Sequence, residues 1–367
     1  MSAPSSVPDP IDGLWAVVPA GGAGTRLWPL SRSSSPKFLR DLTGSGRSLL
    51  QGTHDRLAPL VEDRFLVVTG RAHRDAVAAQ LPEVDEAAIV AEPSARDSMA
   101  AIGLAAAMLE RRDPDAVMGS FAADHVIADP AAFGDCVRTA VGAARDGWLV
   151  TIGIEPTFAS SAFGYIHLGD DLEGHPGARS VVEFVEKPSV DVADGYLATG
   201  RYRWNAGMFV VRPTVLLDLL AEGDPAFAAA LRAIAAAPET LEEAWGRLPR
   251  IALDHAVAEP AAAAGQVVVV PAAFGWDDIG DFDSLATLLD DPDRASVTVL
   301  GDDSLVQALA ATGLVVPAGG KVVAVVGLDD VVVVDTPDAL LVTTRARAQD
   351  VKAIVAALKQ SGRADLT

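Results

Sequence analysis

Three glycines within four positions, Gly21, Gly22 and Gly24, follow an apolar run and precede two cationic side chains, Arg26 and Lys37. Glycine allows the backbone to turn tightly and to approach a ligand closely. The successive N–H groups of such a turn form a concave site for an anion, and nearby cations pair with phosphate oxygens. The spacing therefore predicts a loop that binds phosphate groups.

The glycines alone are compatible with several kinds of loop. A dinucleotide-binding fingerprint needs a third glycine where this chain has Leu27, which weakens that interpretation. A Walker loop is excluded because no Gly-Lys-Ser/Thr follows. A plain strand-to-helix turn would use the glycines without using the cations.

An acidic side chain, Asp124, follows an apolar run that ends at Phe121. Parallel sheets bind ligands outside the carboxyl ends of their strands. A carboxylate at that position is well placed for Mg²⁺, which prefers oxygen ligands and usually keeps phosphates and water as partners. Asp124 is therefore a candidate Mg²⁺ ligand, and we expect the neighbouring His125 to pack or to make a supporting hydrogen bond rather than to titrate in catalysis.

The elements that position these residues are strands and helices in alternation. Continuous apolar runs, typical of strands buried on both faces, lie at 14–18, 64–69, 87–91, 116–121 and 148–154. Helical patterns lie between them at 72–81, 98–112 and 131–145. This alternation predicts an α/β fold with a Rossmann-like, mainly parallel sheet and helices on both faces.

The second half of the chain changes character. Residues 181–211 predict two further strands around a short helix, and residues 213–248 are helical. Short Val-rich runs at 314–316, 322–326, 331–334 and 340–342 predict a small β domain, and residues 347–359 predict a docked amphipathic helix. We therefore divide the chain into a disordered lead at 1–13, a large α/β domain at 14–290 and a C-terminal β domain with a terminal helix at 291–367.

Composition limits the partners of this chain. The net charge of −21 argues against nucleic acid, although residues 24–47 hold five basic residues and one acidic residue, so a small anion could still bind there. No stretch has the ~18 clean apolar residues of a membrane span. The first 13 residues lack a secretion signal, and the single cysteine, Cys136, excludes an internal disulfide framework. We expect a cytoplasmic protein with no membrane partner.

The segment from Gly21 to Lys37 resembles the signature of the sugar-phosphate nucleotidyltransferase family. It reads Gly-Gly-x-Gly-Thr-Arg-Leu-Trp-Pro-Leu with Pro-Lys further on, and its Leu-Trp-Pro-Leu-Ser-Arg is similar to bacterial mannose-1-phosphate guanylyltransferases. The family usually continues Pro-Lys-Gln-Phe-Leu, whereas this chain lacks the glutamine. The resemblance implies that GMP passes from GTP to α-D-mannose 1-phosphate by direct in-line attack, giving GDP-mannose and pyrophosphate.

The resemblance also implies roles on the nucleotide side. Arg26 would pair with the leaving pyrophosphate, and Lys37 would lie near the α-phosphate; these two are the candidate catalytic residues. Glu92 would accept hydrogen bonds from the two adjacent N–H groups of guanine, and it opens a segment that resembles the family's Glu-Pro-x-x-Arg-Asn-Thr. The full nucleotide-binding set is Ala20, Gly21, Gly22, Gly24, Thr25, Glu92, Asp97 and Ser98.

Further motifs imply the metal and sugar residues. Gly-Trp-Asp-Asp at 275–278 resembles the family's Gly-Trp-Ser-Asp and makes Asp278 the second Mg²⁺ ligand beside Asp124. Asp254 is expected to support the sugar pocket. The sugar-phosphate residues come from Phe-Gly-Tyr-Ile, Glu-Lys-Pro and Trp-Asn-Ala-Gly motifs and are Gly164, Tyr165, Glu186, Lys187 and Asn205.

The family's short form implies the remaining expectations. It consists of a nucleotidyltransferase catalytic domain, here 14–290, and a small left-handed β-helix that often mediates dimers, here 291–367. A homodimer is therefore expected. Two alternatives stay open: the same reaction with another sugar 1-phosphate or nucleotide, and a non-catalytic relative that senses a nucleotide sugar.

Overall fold

The computed structural model describes residues 9–22, 24–290 and 296–367. The chain forms two compact units. The first comprises the chain up to Ala20, His54–Ala122 and Ile127–Trp276, and the second comprises Gly21–Thr53, Ala123–Val126 and the chain from Asp277 onward. The disordered lead predicted at 1–13 falls largely on residues 1–8, which lie outside the described residues. Ile11 is buried and donates its backbone N–H to the Leu60 carbonyl at 2.8 Å.

One nine-stranded sheet forms the centre of the first unit. Its strands are β1 (Leu14–Ala20), β2 (Phe65–Gly70), β3 (Ile89–Glu92), β4 (Val117–Ser120), β6 (Leu149–Ile154), β7 (Gly164–Asp171), β8 (Arg179–Val185), β9 (Tyr202–Val211) and β10 (Val267–Ala272). Their order across the sheet is β3-β2-β1-β4-β9-β6-β10-β8-β7. The short strands β5 (Val126–Ile127) and β11 (Trp276–Asp277) each contain residues of both units.

The sheet is mixed, so the expected mainly parallel sheet is not confirmed. Strands β1, β2, β3 and β4 pair in parallel, as do β6 and β10. Strand β9 is antiparallel to both β4 and β6, and β7 and β8 pair antiparallel. The connection from Asp171 to Arg179 is shorter than the dozen or so residues that a parallel crossover needs, so β7 and β8 can only form a hairpin.

Helices complete the first unit. They are α1 (Leu49–Val61, shared with the second unit), α2 (Arg74–Gln80), α3 (Asp97–Arg112), α4 (Pro130–Arg145), α5 (Val190–Thr199), α6 (Pro213–Gly223), α7 (Pro225–Ala236), α8 (Leu241–Trp245) and α9 (Glu259–Ala263). The start of α4 shows why the boundaries of a helix can be predicted from the sequence. Pro130 occupies the first helical position, and Asp129 accepts from Ala131 N and Ala132 N at 3.0 Å each, which caps the helix.

The strands and helices predicted between residues 14 and 154 are confirmed, with ends that differ by two residues or fewer. Strand β10 is an element that no pattern described above predicts, and it contains Pro271, a residue that is rare in central strands. Pro271 lies opposite Gly153 of β6, whereas β8 pairs with β10 only at Val268 and Val269. The missing N–H of Pro271 therefore costs no hydrogen bond to β8.

The second unit contains short strands in parallel ladders. Its elements are β12 (Thr298–Val299), β13 (Val306–Leu309), β14 (Gly313–Pro317), β15 (Val323–Val326), β16 (Val331–Asp335), β17 (Leu340–Thr344), α10 (Phe282–Leu289) and α11 (Val351–Gln360). Strands β12, β14 and β16 pair in parallel, β17 closes that ladder antiparallel, and β13 pairs in parallel with β15.

Strand β16 explains the Val-rich runs, because both of its faces are buried. Val332 and Val334 join a cluster that includes Leu27 of the glycine-loop segment. Val331 and Val333 face a second cluster with Val315. The predicted terminal helix is confirmed as α11. Among the described residues, no helix has the length and apolar character needed to cross a membrane.

Candidate active site

The glycine loop belongs to the second unit and follows directly after β1. Gly22 and Gly24 have φ of 89° and 56°, a left-handed conformation that favours glycine. A Cβ at Gly24 would lie 2.9 Å from Lys37 Cβ and 2.9 Å from Ser31 Oγ, whereas a Cβ at Gly22 would meet nothing within 4 Å. The loop therefore packs directly on Lys37 at one glycine and borders open space at another.

Lys37 is a buried cation at the start of a 3₁₀ turn, Lys37–Leu39. Its Nζ lies 2.8 Å from Asp124 Oδ2 and donates to the backbone carbonyl of Asp278. One ammonium group thus contacts both residues that were predicted as metal ligands. Burial costs a charge less when it is paired and hydrogen-bonded.

The carboxylates around Lys37 differ in protonation tendency. Burial raises the pKa of Asp124, but the charges of Lys37 and His125 outweigh it and hold the pKa below its usual range. Burial raises the pKa of Asp278, an effect that Lys37 opposes and Asp124 reinforces. Asp277, where the family usually has serine, has a pKa raised to about 6 by burial, and its Oδ1 accepts from Ile279 N at 2.6 Å.

The donor set suits a cation that takes few protein ligands. Within the described parts of the chain, no three His, Cys, Asp or Glu side chains are grouped as metal ligands. Mg²⁺ is commonly held by one or two carboxylates together with substrate phosphates and water. Asp124 and Asp278 interact electrostatically and share Lys37 as a neighbour, which fits such a site.

The two arginines of the loop segment have different surroundings. Arg32 forms a two-pronged ion pair with Asp338, with distances of 2.6 and 2.8 Å. Arg26, the predicted pyrophosphate partner, donates from Nη1 to Gln349 Oε1 at 3.3 Å. The charge of Arg32 is paired with a carboxylate, whereas Arg26 donates to a neutral amide and acts on the Asp278 carboxylate only at longer range. Sequence reasoning did not find Gln349, which no motif marks.

The predicted guanine residue, Glu92, ends β3 in the first unit and is partly buried. Burial raises its pKa to about 7. Among the described residues, no group donates a hydrogen bond to its carboxylate. Both carboxylate oxygens of Glu92 can therefore accept hydrogen bonds from a ligand.

Asp97 and Ser98 begin α3. Asp97 has φ of 67°, and its Oδ1 accepts from Ser98 N at 2.9 Å. The hydroxyl of Ser98 accepts from Leu253 N at 2.9 Å. This hydroxyl therefore holds the segment that leads to Asp254, a contact that the sequence did not indicate.

Several predicted sugar residues converge in the first unit. Gly164 of β7 lies opposite Asn205 of β9, and a Cβ at Gly164 would lie 2.6 Å from Glu186 Oε2. Asn205 Nδ2 donates to Asp254 Oδ1 at 2.5 Å, and its Oδ1 accepts from Gly207 N at 3.0 Å. Burial raises the pKa of Asp254, the Asn205 hydrogen bond opposes this, and the Glu186 charge adds to it. The cluster combines acceptors and an oriented amide.

Lys187 and Tyr165 are placed differently. Lys187 Nζ donates to Glu186 Oε1 at 2.6 Å, and the Lys187 side chain is 62 % exposed. The Tyr165 hydroxyl accepts from Ser160 N at 2.9 Å and donates to Ser160 O at 3.0 Å, and the residue is fully buried. Tyr165 therefore uses its hydroxyl to hold the preceding loop.

An aromatic cleft of about 480 Å³ also lies in the first unit. Trp204 and Trp276 form part of its lining, and the Phe163 ring lies 5.0 Å from Trp204 and 5.2 Å from Trp276, between centroids. The sequence marked these tryptophans only as members of motifs. Trp204 lies in β9 and Trp276 in β11, and their ring centroids are 6.3 Å apart although 72 residues separate them in the chain.

Comparison with known proteins identifies the family. A family described as nucleotidyl transferase matches residues 15–295, and one described as MannoseP isomerase/GMP-like beta-helix domain matches residues 299–358. The mannose-1-phosphate guanylyltransferase of Escherichia coli K12 is 38% identical over 363 residues, covering 95% of this chain and 74% of that protein. The mannose-1-phosphate guanylyltransferase ManC of Salmonella typhimurium LT2 is 39% identical over 363 residues, with coverage of 95% and 74%.

A solved structure agrees with these relatives. It is described as a mannose-1-phosphate geranyltransferase from Thermus thermophilus, is 34% identical, has a TM-score of 0.84, and the match covers 95% of this chain and 99% of that chain. The fold is thus a nucleotidyltransferase fold followed by a β-helix-like domain. The chain belongs to the mannose-1-phosphate guanylyltransferase branch of the nucleotidyl transferase family.

Proposed function

We propose that this chain transfers GMP from GTP to α-D-mannose 1-phosphate, with GDP-mannose and pyrophosphate as products. The observation that carries the proposal is Lys37, whose side chain packs on Gly24 of the glycine loop and pairs with Asp124. A buried ammonium group beside a phosphate-binding loop and a pair of carboxylates suits phosphoryl chemistry, in which catalysis is mainly positioning and charge stabilisation.

On the nucleotide side, the loop N–H groups of Gly21, Gly22 and Gly24 would bind the triphosphate. Arg26 would pair with the pyrophosphate as negative charge builds on it, since a guanidinium binds phosphate oxygens in a forked geometry. Glu92 would accept from N1–H and the N2 amino group of guanine. Asp97, in the first turn of α3, would also take part in binding the nucleotide.

Mg²⁺ would be held by Asp124 and Asp278, where it would neutralise phosphate charge when bound. Lys37 keeps Asp124 ionised, which a metal ligand requires. Asp277 is placed to hold the turn that carries Asp278, through its bond to Ile279 N.

On the sugar side, Glu186 would accept hydrogen bonds from hydroxyl groups of the sugar. Asn205 would hydrogen-bond another hydroxyl group, and Asp254 fixes the orientation of its amide. Gly164 leaves the space that the Glu186 carboxylate needs. Lys187 would bind the sugar phosphate, exchanging its ion pair with Glu186 for the phosphate charge. A phosphate oxygen of the sugar then attacks the α-phosphorus as the bond to pyrophosphate breaks, without a covalent enzyme intermediate.

The finer architecture is part of the same proposal. The domain division near residue 290 is supported by the two family matches, at 15–295 and 299–358. A homodimer through a left-handed β-helix is supported by apolar side chains that stay exposed in this region, with Leu309 67 %, Val322 68 % and Val326 64 % exposed.

The decisive experiment is a pyrophosphate-release assay over a matrix of nucleoside triphosphates and sugar 1-phosphates. GTP with mannose 1-phosphate should give the highest kcat/KM. A higher value for another pair would reassign the substrates within the same reaction. No release with any pair would reject the proposal and favour a non-catalytic relative.

A further inference from the structure

Gln349 joins two charged groups of the second unit. Its Oε1 accepts from Arg26 Nη1 at 3.3 Å, and its Nε2 donates to the Asp281 carboxylate. Asp281 caps α10 by accepting from Asp283 N at 2.7 Å, and it follows Asp278 closely in the chain. One amide thus connects the glycine-loop arginine with the turn that carries a predicted metal ligand.

The chemistry of an amide suits this position. Glutamine offers an acceptor oxygen and a donor NH₂ group. Its oxygen faces a guanidinium, which only donates, and its nitrogen faces a carboxylate, which only accepts. A carboxylate in contact with Arg26 would orient it equally well but would neutralise its charge. The neutral amide orients Arg26 and leaves the charge for an anionic ligand.

Arg32 provides the contrast within the same loop segment. It is held by the Asp338 carboxylate through two short ion-pair contacts, so its charge is compensated by protein. The C-terminal region therefore contacts both arginines of the segment, one with a charged partner and the other with a neutral one. Among the described residues, Arg26 forms no ion pair: it donates to the neutral Gln349 amide and acts on the Asp278 carboxylate only at longer range.

The backbone around Gln349 is anchored independently of its side chain. It lies in the 3₁₀ segment Arg345–Asp350, where Arg345 Nε bonds Asp283 Oδ1 at 2.8 Å and Arg345 Nη2 bonds Thr287 Oγ1 at 2.6 Å. Ala348, directly before Gln349, and Val351, two residues after it, are buried. Removing the Gln349 amide should therefore leave the segment in place.

We propose that Gln349 is a positioning residue that aims the Arg26 guanidinium at the leaving pyrophosphate without neutralising it. The proposal rests on the proposed function for the identity of the anion. It predicts that substitutions at Gln349 weaken the binding of pyrophosphate more than the binding of mannose 1-phosphate.

The test compares Gln349→Ala and Gln349→Glu with wild type, with Gln360→Ala as control because Gln360 is an exposed amide at the end of α11. We expect Gln349→Ala to lower kcat roughly 10- to 100-fold, the order of effect of a misaligned reacting group, and to raise the KM for pyrophosphate in the reverse reaction. Gln349→Glu should lose more, because it also neutralises Arg26. The KM for mannose 1-phosphate should stay unchanged in both, and Gln360→Ala should behave as wild type.

A second variant separates positioning from a purely structural role. In Gln349→Glu the new carboxylate faces that of Asp281, which should lower the thermal midpoint of unfolding. Adding Asp281→Asn restores a donor for the new carboxylate and keeps an effective helix cap, so the thermal midpoint should return toward that of wild type. Pyrophosphate binding, measured by calorimetry with inorganic pyrophosphate, should remain weak because Arg26 stays neutralised. Recovery of binding together with stability, or wild-type pyrophosphate binding in folded Gln349→Ala, would overturn the proposal. Calorimetry decides this even if wild type transfers no GMP, in which case the proposed function alone fails.

Discussion

Recognition of guanine by Glu92 depends on the protonation state of its carboxylate. Burial raises the pKa of Glu92 to about 7, whereas only the ionised form can accept from both N–H groups of guanine. GTP should therefore bind the deprotonated protein. We expect the KM for GTP to rise as the pH falls through about 7.

The magnitude follows from the pKa. A group with a pKa of about 7 is roughly ten-elevenths ionised at pH 8 and one-eleventh ionised at pH 6. GTP binding should thus weaken about tenfold over this range, or about 1.4 kcal/mol. Glu92→Gln should cost about 1.5–3 kcal/mol of GTP binding, because it replaces a charged acceptor. Its amide would complement adenine instead, so the preference for GTP over ATP should fall.

The assay measures KM for GTP and ATP between pH 6 and pH 8 at saturating mannose 1-phosphate. Phosphate groups also titrate near pH 6, so the difference between wild type and Glu92→Gln isolates the carboxylate. Glu83→Gln removes the same charge from an exposed position of the neighbouring segment and serves as the matched control.

Two results would refute this reasoning: the same pH dependence in wild type and Glu92→Gln, or an unchanged nucleotide preference.

Thermal unfolding provides an independent check on the pKa. Because the folded pKa lies above the unfolded value, ionisation of Glu92 should lower stability as the pH rises from about 4.5 to above 7. Glu92→Gln should therefore unfold at a higher temperature than wild type at pH 8, and at the same temperature below pH 4.

Three other substitutions test separate parts of the site. Lys37→Met should lower kcat roughly 100- to 1000-fold by removing a preorganised cation and should raise the pKa of Asp124; a near-normal kcat in a folded variant would contradict its role. Gly164→Ala places a Cβ where the Glu186 carboxylate lies, so the KM for mannose 1-phosphate should rise about tenfold or more while that for GTP stays constant; equal changes in both would count against the sugar assignment. Asp338→Asn breaks the ion pair with Arg32 and should lower Tm by about 2 °C without changing kcat. A large loss of kcat would show that the Arg32–Asp338 pair also contributes to the reaction.

Much of the fold was readable from local pattern. The apolar runs at β1, β2 and β4, and the capped start of α4, depend on burial and hydrogen bonding of nearby residues, which neighbouring sequence determines. The direction of β9 was not readable. Its antiparallel place between β4 and β6 depends on which strands meet across the sheet, and apolar runs carry no information on strand direction.

The sequence by itself determined the family, the chemical types in the site and the need for glycine at the loop, because these are properties of short segments. Only the tertiary structure showed how distant charges are shared: Lys37 reaches a carbonyl 241 residues away, and Arg26 an amide 323 residues away. Nothing in the sequence showed which arginine of the loop segment is paired inside the protein, whereas the fold gives Arg32 a carboxylate and Arg26 a neutral amide. Charge compensation depends on through-space distance and burial, and neither is contained in spacing along the chain.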